Sequence, residues 1–181
     1  MSDWVCLLRG INVGGRNRLP MADLRRILAS LHCERCQTVL QSGNAVFSSR
    51  ERSQRRLAES IAVAIEQDFG FRPDVMLLSA AALQAAADDN PFAESFKSGS
   101  QMHYFFLERA VRRPDRERLA SLAATDERFA LHGKVFYLLA PSGIGRSRLA
   151  AQAERCLGVP TTARNHRTLE RLLSLLSDRD A

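Results

Sequence analysis

Lysine is almost missing from this chain. Of its 26 basic residues only Lys97 and Lys134 are lysines, and the other 24 are arginines. A genome rich in G and C accounts for most of that bias. The surplus still leaves a net charge of +6, carried by planar guanidinium forks that suit phosphate and carboxylate. Long apolar runs are missing too: the longest, residues 4–8 and 135–139, are far too short to span a bilayer. The first residues, Met1-Ser2-Asp3-Trp4, have neither a basic segment nor an apolar one, so no signal peptide is expected. The four cysteines, at 6, 33, 36 and 156, have no framework spacing, as expected in a reducing compartment. Together these absences predict a cytoplasmic location without membrane contact.

Catalytic signatures are equally sparse. Cys33-Glu34-Arg35-Cys36 is a lone C-x-x-C that follows a helix instead of opening one, so the helix dipole opposes a thiolate there. Zinc needs a second ligand pair, and none has suitable spacing, so no metal site is expected. Gly10-x-x-x-x-Gly15-Arg16-Asn17 imitates a phosphate-binding P-loop. Arginine replaces its lysine and asparagine its magnesium-binding hydroxyl, which argues against nucleoside-triphosphate hydrolysis. No G-x-S-x-G elbow surrounds Ser42 or Ser142. His103 lies in an apolar strand and reads as a packed residue. His166 is the only histidine near a candidate site. No catalytic residue and no cofactor can be named.

What is present is a repeated order of elements. Residues 4–8 read as a buried strand. Leu24, Ile27, Leu28 and Leu31 recur at helical spacing behind Pro20. Residues 38–41 and 45–48 read as strands around Gly43-Asn44, as in a two-residue hairpin. Ser53 caps a second helix that ends near Gly70, and residues 75–78 form a strand. After a helix from residue 79 to 89, stopped by Asn90-Pro91-Phe92, residues 93–100 read as a linker. Then β, α, β, β, α, β follows again, with a strand at 103–107, a hairpin around Gly133, a helix at 145–157, a short strand from 161, and a last helix capped by Asn165. The expected fold is α+β: two tandem ferredoxin-like βαββαβ units with mostly antiparallel sheets, spanning residues 1–89 and 100–181. Several strands are apolar throughout instead of alternating, which predicts cover on both faces.

That topology groups the glycine- and arginine-rich loops. In a βαββαβ unit the exit of the first strand shares an edge with the hairpin between the second and third. Residues 9–18 therefore belong beside residues 41–44. In the second unit, residues 141–148 belong beside residues 164–167. Six of the ten glycines fall in these loops, and no aspartate or glutamate does. The candidate ligand-binding residues are Arg9, Gly10, Asn12, Gly14, Gly15, Gln41, Ser42 and Asn44 in the first set, and Arg146, Arg164, Asn165 and Arg167 in the second. Glycines admit close backbone approach, and helix N-termini attract anions. Arginines at a helix N-terminus oppose its dipole, a cost that a bound anion reverses. The competing reading is that glycines and arginines only shape and tie the loops.

The stretch Leu7-Leu8-Arg9-Gly10-Ile11-Asn12-Val13-Gly14-Gly15 with Pro20-Met21, followed by Gln41-Ser42-Gly43-Asn44, resembles the bacterial family called domain of unknown function 1697. Asn90-Pro91-Phe92, Gly143-Ile144-Gly145-Arg146-Ser147 and Arg164-Asn165-x-Arg167-Thr168 are similar to further marks of it. The resemblance implies a ferredoxin-like α+β fold and no particular activity, substrate or cofactor. Where that family usually has tryptophan, this chain has His166, so the resemblance gives the histidine no role. The first functional reading is a protein that binds a small phosphate- or carboxylate-bearing ligand. A second is single-stranded RNA binding through Tyr104, Phe106, Phe136 and Lys134 on an open sheet. A third is a protein-interaction module whose loops are only structural.

Overall fold

The computed structural model describes residues 1–180. Two four-stranded sheets, antiparallel throughout, each carry the βαββαβ order. In the first, β1 (Ser2–Arg9), α1 (Met21–Ser30), β2 (Glu34–Val39), β3 (Asn44–Ser49), α2 (Gln54–Phe69) and β4 (Asp74–Ser79) give the strand order β2-β3-β1-β4. After α3 (Ala80–Asp88) the second follows: β5 (Met102–Leu107), α4 (Arg116–Leu122), β6 (Arg128–His132), β7 (Val135–Leu139), α5 (Arg148–Leu157) and β8 (Thr161–Asn165), in the order β6-β7-β5-β8. The chain closes with α6 (His166–Asp180). These are tandem ferredoxin-like halves. By contacts the chain forms two compact units, residues 1–84 with 170–181, and residues 85–169.

Side-chain chemistry explains the boundaries. Ser53 Oγ accepts from the Arg56 amide at the start of α2, and Gly70, left-handed at φ 73°, ends that helix. Asp115 and Ser147 cap α4 and α5 in the same way. Asn165 Oδ1 accepts from the backbone and hydroxyl of Thr168, at 3.0 and 2.9 Å, and so caps α6. A single 3-10 turn, Ile144–Arg146, precedes α5 where the sequence suggests continuous helix.

In the first unit Trp4, Cys6 and Leu8 of β1 point toward α1 and α2 and pack with Leu24, Ile27, Leu28, Leu57, Ile61 and Ile65. In the second, Phe105, Leu107, Phe136 and Leu138 pack with Leu119, Leu122, Leu149, Ala153 and Leu157. The intervening residues Val5, Leu7 and Val46, and Tyr104, Phe106 and Tyr137, are buried as well. The central strands are thus covered on both faces, as their unbroken apolar runs imply.

Three local features depart from the sequence reading. The β2–β3 connection is four residues, Leu40 to Gly43, and not a two-residue turn on Gly43-Asn44. Asn44 is already in β3, paired with Val39, and its Nδ2 donates to the Val39 carbonyl at 3.0 Å and to Ser42 Oγ at 2.8 Å. β2 begins at Glu34, ahead of the expected residue 38, because a bulge with Arg35 at φ 51° lets the strand run through Cys36. Residues 93–100 are not a loose linker. Phe92 is buried under the Arg128 guanidinium, 4.7 Å from the ring centroid, and a Cβ on Gly99 would lie 2.9 Å from Arg167 Cγ.

Candidate functional site

The first loop set lies where the topology puts it. As β1 ends, its Leu8 amide donates to the Gly43 carbonyl at 2.8 Å, joining the strand to the hairpin. Asn12, at φ 53°, then acts as a tie. Its Nδ2 donates to the carbonyls of Leu19 and Gln41 at 2.9 and 2.7 Å, and its Oδ1 accepts from the Leu19 amide at 2.8 Å. Asn17 Nδ2 donates to the Gly10 carbonyl at 2.7 Å, while its own carbonyl accepts from the Asn12 amide. Beneath them Ile11 is buried, and a Cβ on Gly43 would fall 2.6 Å from Ile11 Cδ1. The two asparagine amides thus tie the loop to itself and to the hairpin.

Arg9 stands across from Asp74 in the β1–β4 register, so an acid faces it. Arg16 and Arg18 are fully on the surface, and their guanidiniums bond to no other described residue. The amides of Gly14 and Gly15 donate to no other described residue either. Gln41 and Ser42 are exposed at the hairpin tip; Asn44 is buried under it. Arg16 and Arg18 were not among the candidates read from the sequence. The signal was there, in the run Gly14-Gly15-Arg16-Asn17-Arg18, where glycines lift two arginines clear of the fold.

In the second unit β7 and β8 both run antiparallel to β5, so their exits share an edge, and the chain entering β5 lies there too. Gln101 Nε2 donates to the Pro141 carbonyl at 3.3 Å, the His166 amide donates to the Gly99 carbonyl at 3.1 Å, and Arg167 Nη2 donates to Ser98 Oγ at 2.7 Å. Arg164 Nη1 donates to the Ala163 carbonyl at 2.8 Å, and Asn165 is the α6 cap. Ser142 donates to Asp126 at 2.7 Å, so an acid from the loop after α4 joins a loop that carries none of its own. Arg146 is exposed and its guanidinium bonds to no other described residue.

His166 Nδ1 and the Tyr104 hydroxyl are hydrogen-bonded at 2.8 Å, and Asn90 Nδ2 donates to that hydroxyl at 3.0 Å. The histidine ring also meets Phe96 edge-on. Tyr104 and Phe136 are 0% exposed and Phe106 is 2% exposed, so no ring on β5 or β7 is open to a base. That removes the structural basis for RNA reading by this sheet. Burial pushes the Cys33 thiol up to about 11 and raises Cys36 as well, the opposite of what a redox pair needs. Among the described residues no group of three or more metal-ligating side chains converges, and no helix is long and apolar enough to cross a membrane.

The architecture is thus that of α+β proteins built from tandem ferredoxin-like halves. The chain belongs to the family of proteins of unknown function DUF1697, whose model matches residues 1–137. A solved structure, that of the conserved bacterial protein SP0830 from Streptococcus pneumoniae, shares the fold. It has a TM-score of 0.67 and 24% identity over 97% of this chain and 98% of that one. Comparison with curated proteins finds no match.

Proposed function

We propose that the loop after β1 binds an anion, a phosphate or a carboxylate, using Arg16 and Arg18 together with the amides of Gly14 and Gly15. One observation carries this reading: four donor groups, none bonded to another described residue, sit on one loop that is braced from within by Asn12 and Asn17. Residues 4–22 contain no acidic side chain, and Asp74 stands opposite Arg9. Charge-assisted bonds from arginine to a carboxylate or phosphate are short, directional and roughly twice as strong as neutral ones. Arg9, Gly10, Gln41 and Ser42 flank these donors, while Asn12 and Asn44 hold the frame.

The second set supports the reading less well. Arg164, Asn165 and Arg167 already bond within the unit, and only the guanidiniums of Arg146 and of Arg148 at the start of α5 extend from these loops without a bond to another described residue. The test is isothermal titration of the protein with inorganic phosphate and pyrophosphate. Wild type should bind, and Arg16→Gln/Arg18→Gln should lose at least tenfold in affinity with an unchanged melting temperature. Equal affinity in the two proteins would overturn the assignment.

A further inference from the structure

We propose that the same loop tip is a docking surface for an acidic polypeptide segment that also presents an apolar side chain. This rests on the anion-binding reading and names the kind of partner. Val13 is 68% exposed and Leu40 is 48% exposed; apart from Met1 they are the exposed large apolar residues of the described chain. They lie on adjoining loops, since Asn12, next to Val13, donates to the carbonyl of Gln41, next to Leu40, at 2.7 Å.

Leu40 is also held at φ 59°, in the left-handed region that residues with a bulky side chain rarely occupy. Asparagine or glycine would sit there with less strain. Strain and exposure thus fall on one residue, a combination found at binding segments. The cations of the adjoining loop fix the sign of the partner. Arg16 and Arg18 share the loop of Val13, and neither residues 4–22 nor residues 35–50 contain an acid. The shape fixes its kind. Residues 13–18 are exposed without interruption, so a chain laid across them could give carboxylates to the arginines, an apolar side chain to Val13 or Leu40, and carbonyls to the amides of Gly14 and Gly15.

Fluorescence anisotropy with two labelled heptapeptides tests this, one alternating glutamate with serine and one with leucine in place of two serines. Wild type should hold the leucine peptide about tenfold more tightly, the gain expected from burying one apolar side chain at a partly open site. Val13→Ser/Leu40→Asn should erase that preference and keep the affinity for the serine peptide, because asparagine accepts the left-handed conformation and the fold is retained. Arg16→Gln/Arg18→Gln should lose both peptides. Equal binding of the two peptides to wild type, or a preference that survives Val13→Ser/Leu40→Asn, would overturn the proposal and leave anion binding intact. Absence of binding by either peptide while phosphate still binds would overturn it too. Absence of binding by peptides and phosphate alike would overturn both.

Discussion

Replacing Gly43 by alanine tests the joint between loop and hairpin on which the site depends. Gly43 sits at φ 72°, and an added Cβ would lie 2.6 Å from Ile11 Cδ1 and 2.7 Å from Leu8 Cβ. Both neighbours are buried, at 3% and 1% exposure, so neither can swing away. A left-handed alanine costs about 1 kcal/mol, and an extra methyl forced into a packed core adds about 1–3 kcal/mol, giving about 2–4 kcal/mol in all. Gly14→Ala is the control. It shares the positive φ, at 58°, but its Cβ would meet nothing within 4 Å, so only the conformational part, about 1 kcal/mol, remains. Urea unfolding followed by the fluorescence of Trp4, the chain's one tryptophan and part of the first unit's core, reads both variants. Equal losses would refute the close approach of Gly43 to Ile11, and with it the bracing of the loop.

Two further outcomes concern the second unit and alkaline pH. Tyr104→Phe removes the hydroxyl between Asn90 and His166 and leaves the buried Asn90 with an unmet donor, so it should destabilise by about 1–3 kcal/mol in urea unfolding followed by circular dichroism; a neutral result would show that this chain of bonds contributes nothing. Burial raises the thiol of Cys33, further helped by Cys36, to about 11, and burial likewise raises the phenol of Tyr137. The unfolded chain loses these protons first, so stability should hold up to about pH 9 and fall from there toward pH 11. Cys33→Ala should flatten part of that fall, and an unchanged slope would contradict the assignment to Cys33.

Much of the fold is legible in the sequence because buried strands must be apolar on both faces. The runs at residues 4–8, 103–107 and 135–139 announce β1, β5 and β7, and Ser53, Gly70 and Gly158 bound their helices through ordinary capping chemistry, whereas the caps Asp115 and Ser147 show only in the structure. The hairpin was harder. Gly43-Asn44 has the composition of a tight turn, but Asn44 satisfies the Val39 carbonyl from within β3, which pushes the connection back onto Leu40. A leucine in the left-handed region has no sequence signature. Residues 93–100 have the composition of a linker, and only the contacts of Gly99 and Ser98 with Arg167 show why they are ordered. In the candidate site the loop and hairpin come together as topology requires. The division of labour within them was not legible, because a loop asparagine serves equally well as ligand donor or internal tie. Asn12 and Asn17 prove to be ties, which leaves Arg16 and Arg18 as the outward-facing groups.

The most direct measurement of the anion-binding account is a titration of the isotope-labelled protein with pyrophosphate, followed amide by amide in a nitrogen–proton correlation spectrum. The account predicts that the amides of Gly14, Gly15 and Arg16 shift first and saturably, that Ser42 and Gly43 follow more weakly through the bond from Asn12 to Gln41, and that Arg16→Gln/Arg18→Gln abolishes the response. Shifts confined to residues 143–148 and 164–168, or small shifts scattered over all exposed arginines and linear in added anion, would contradict it.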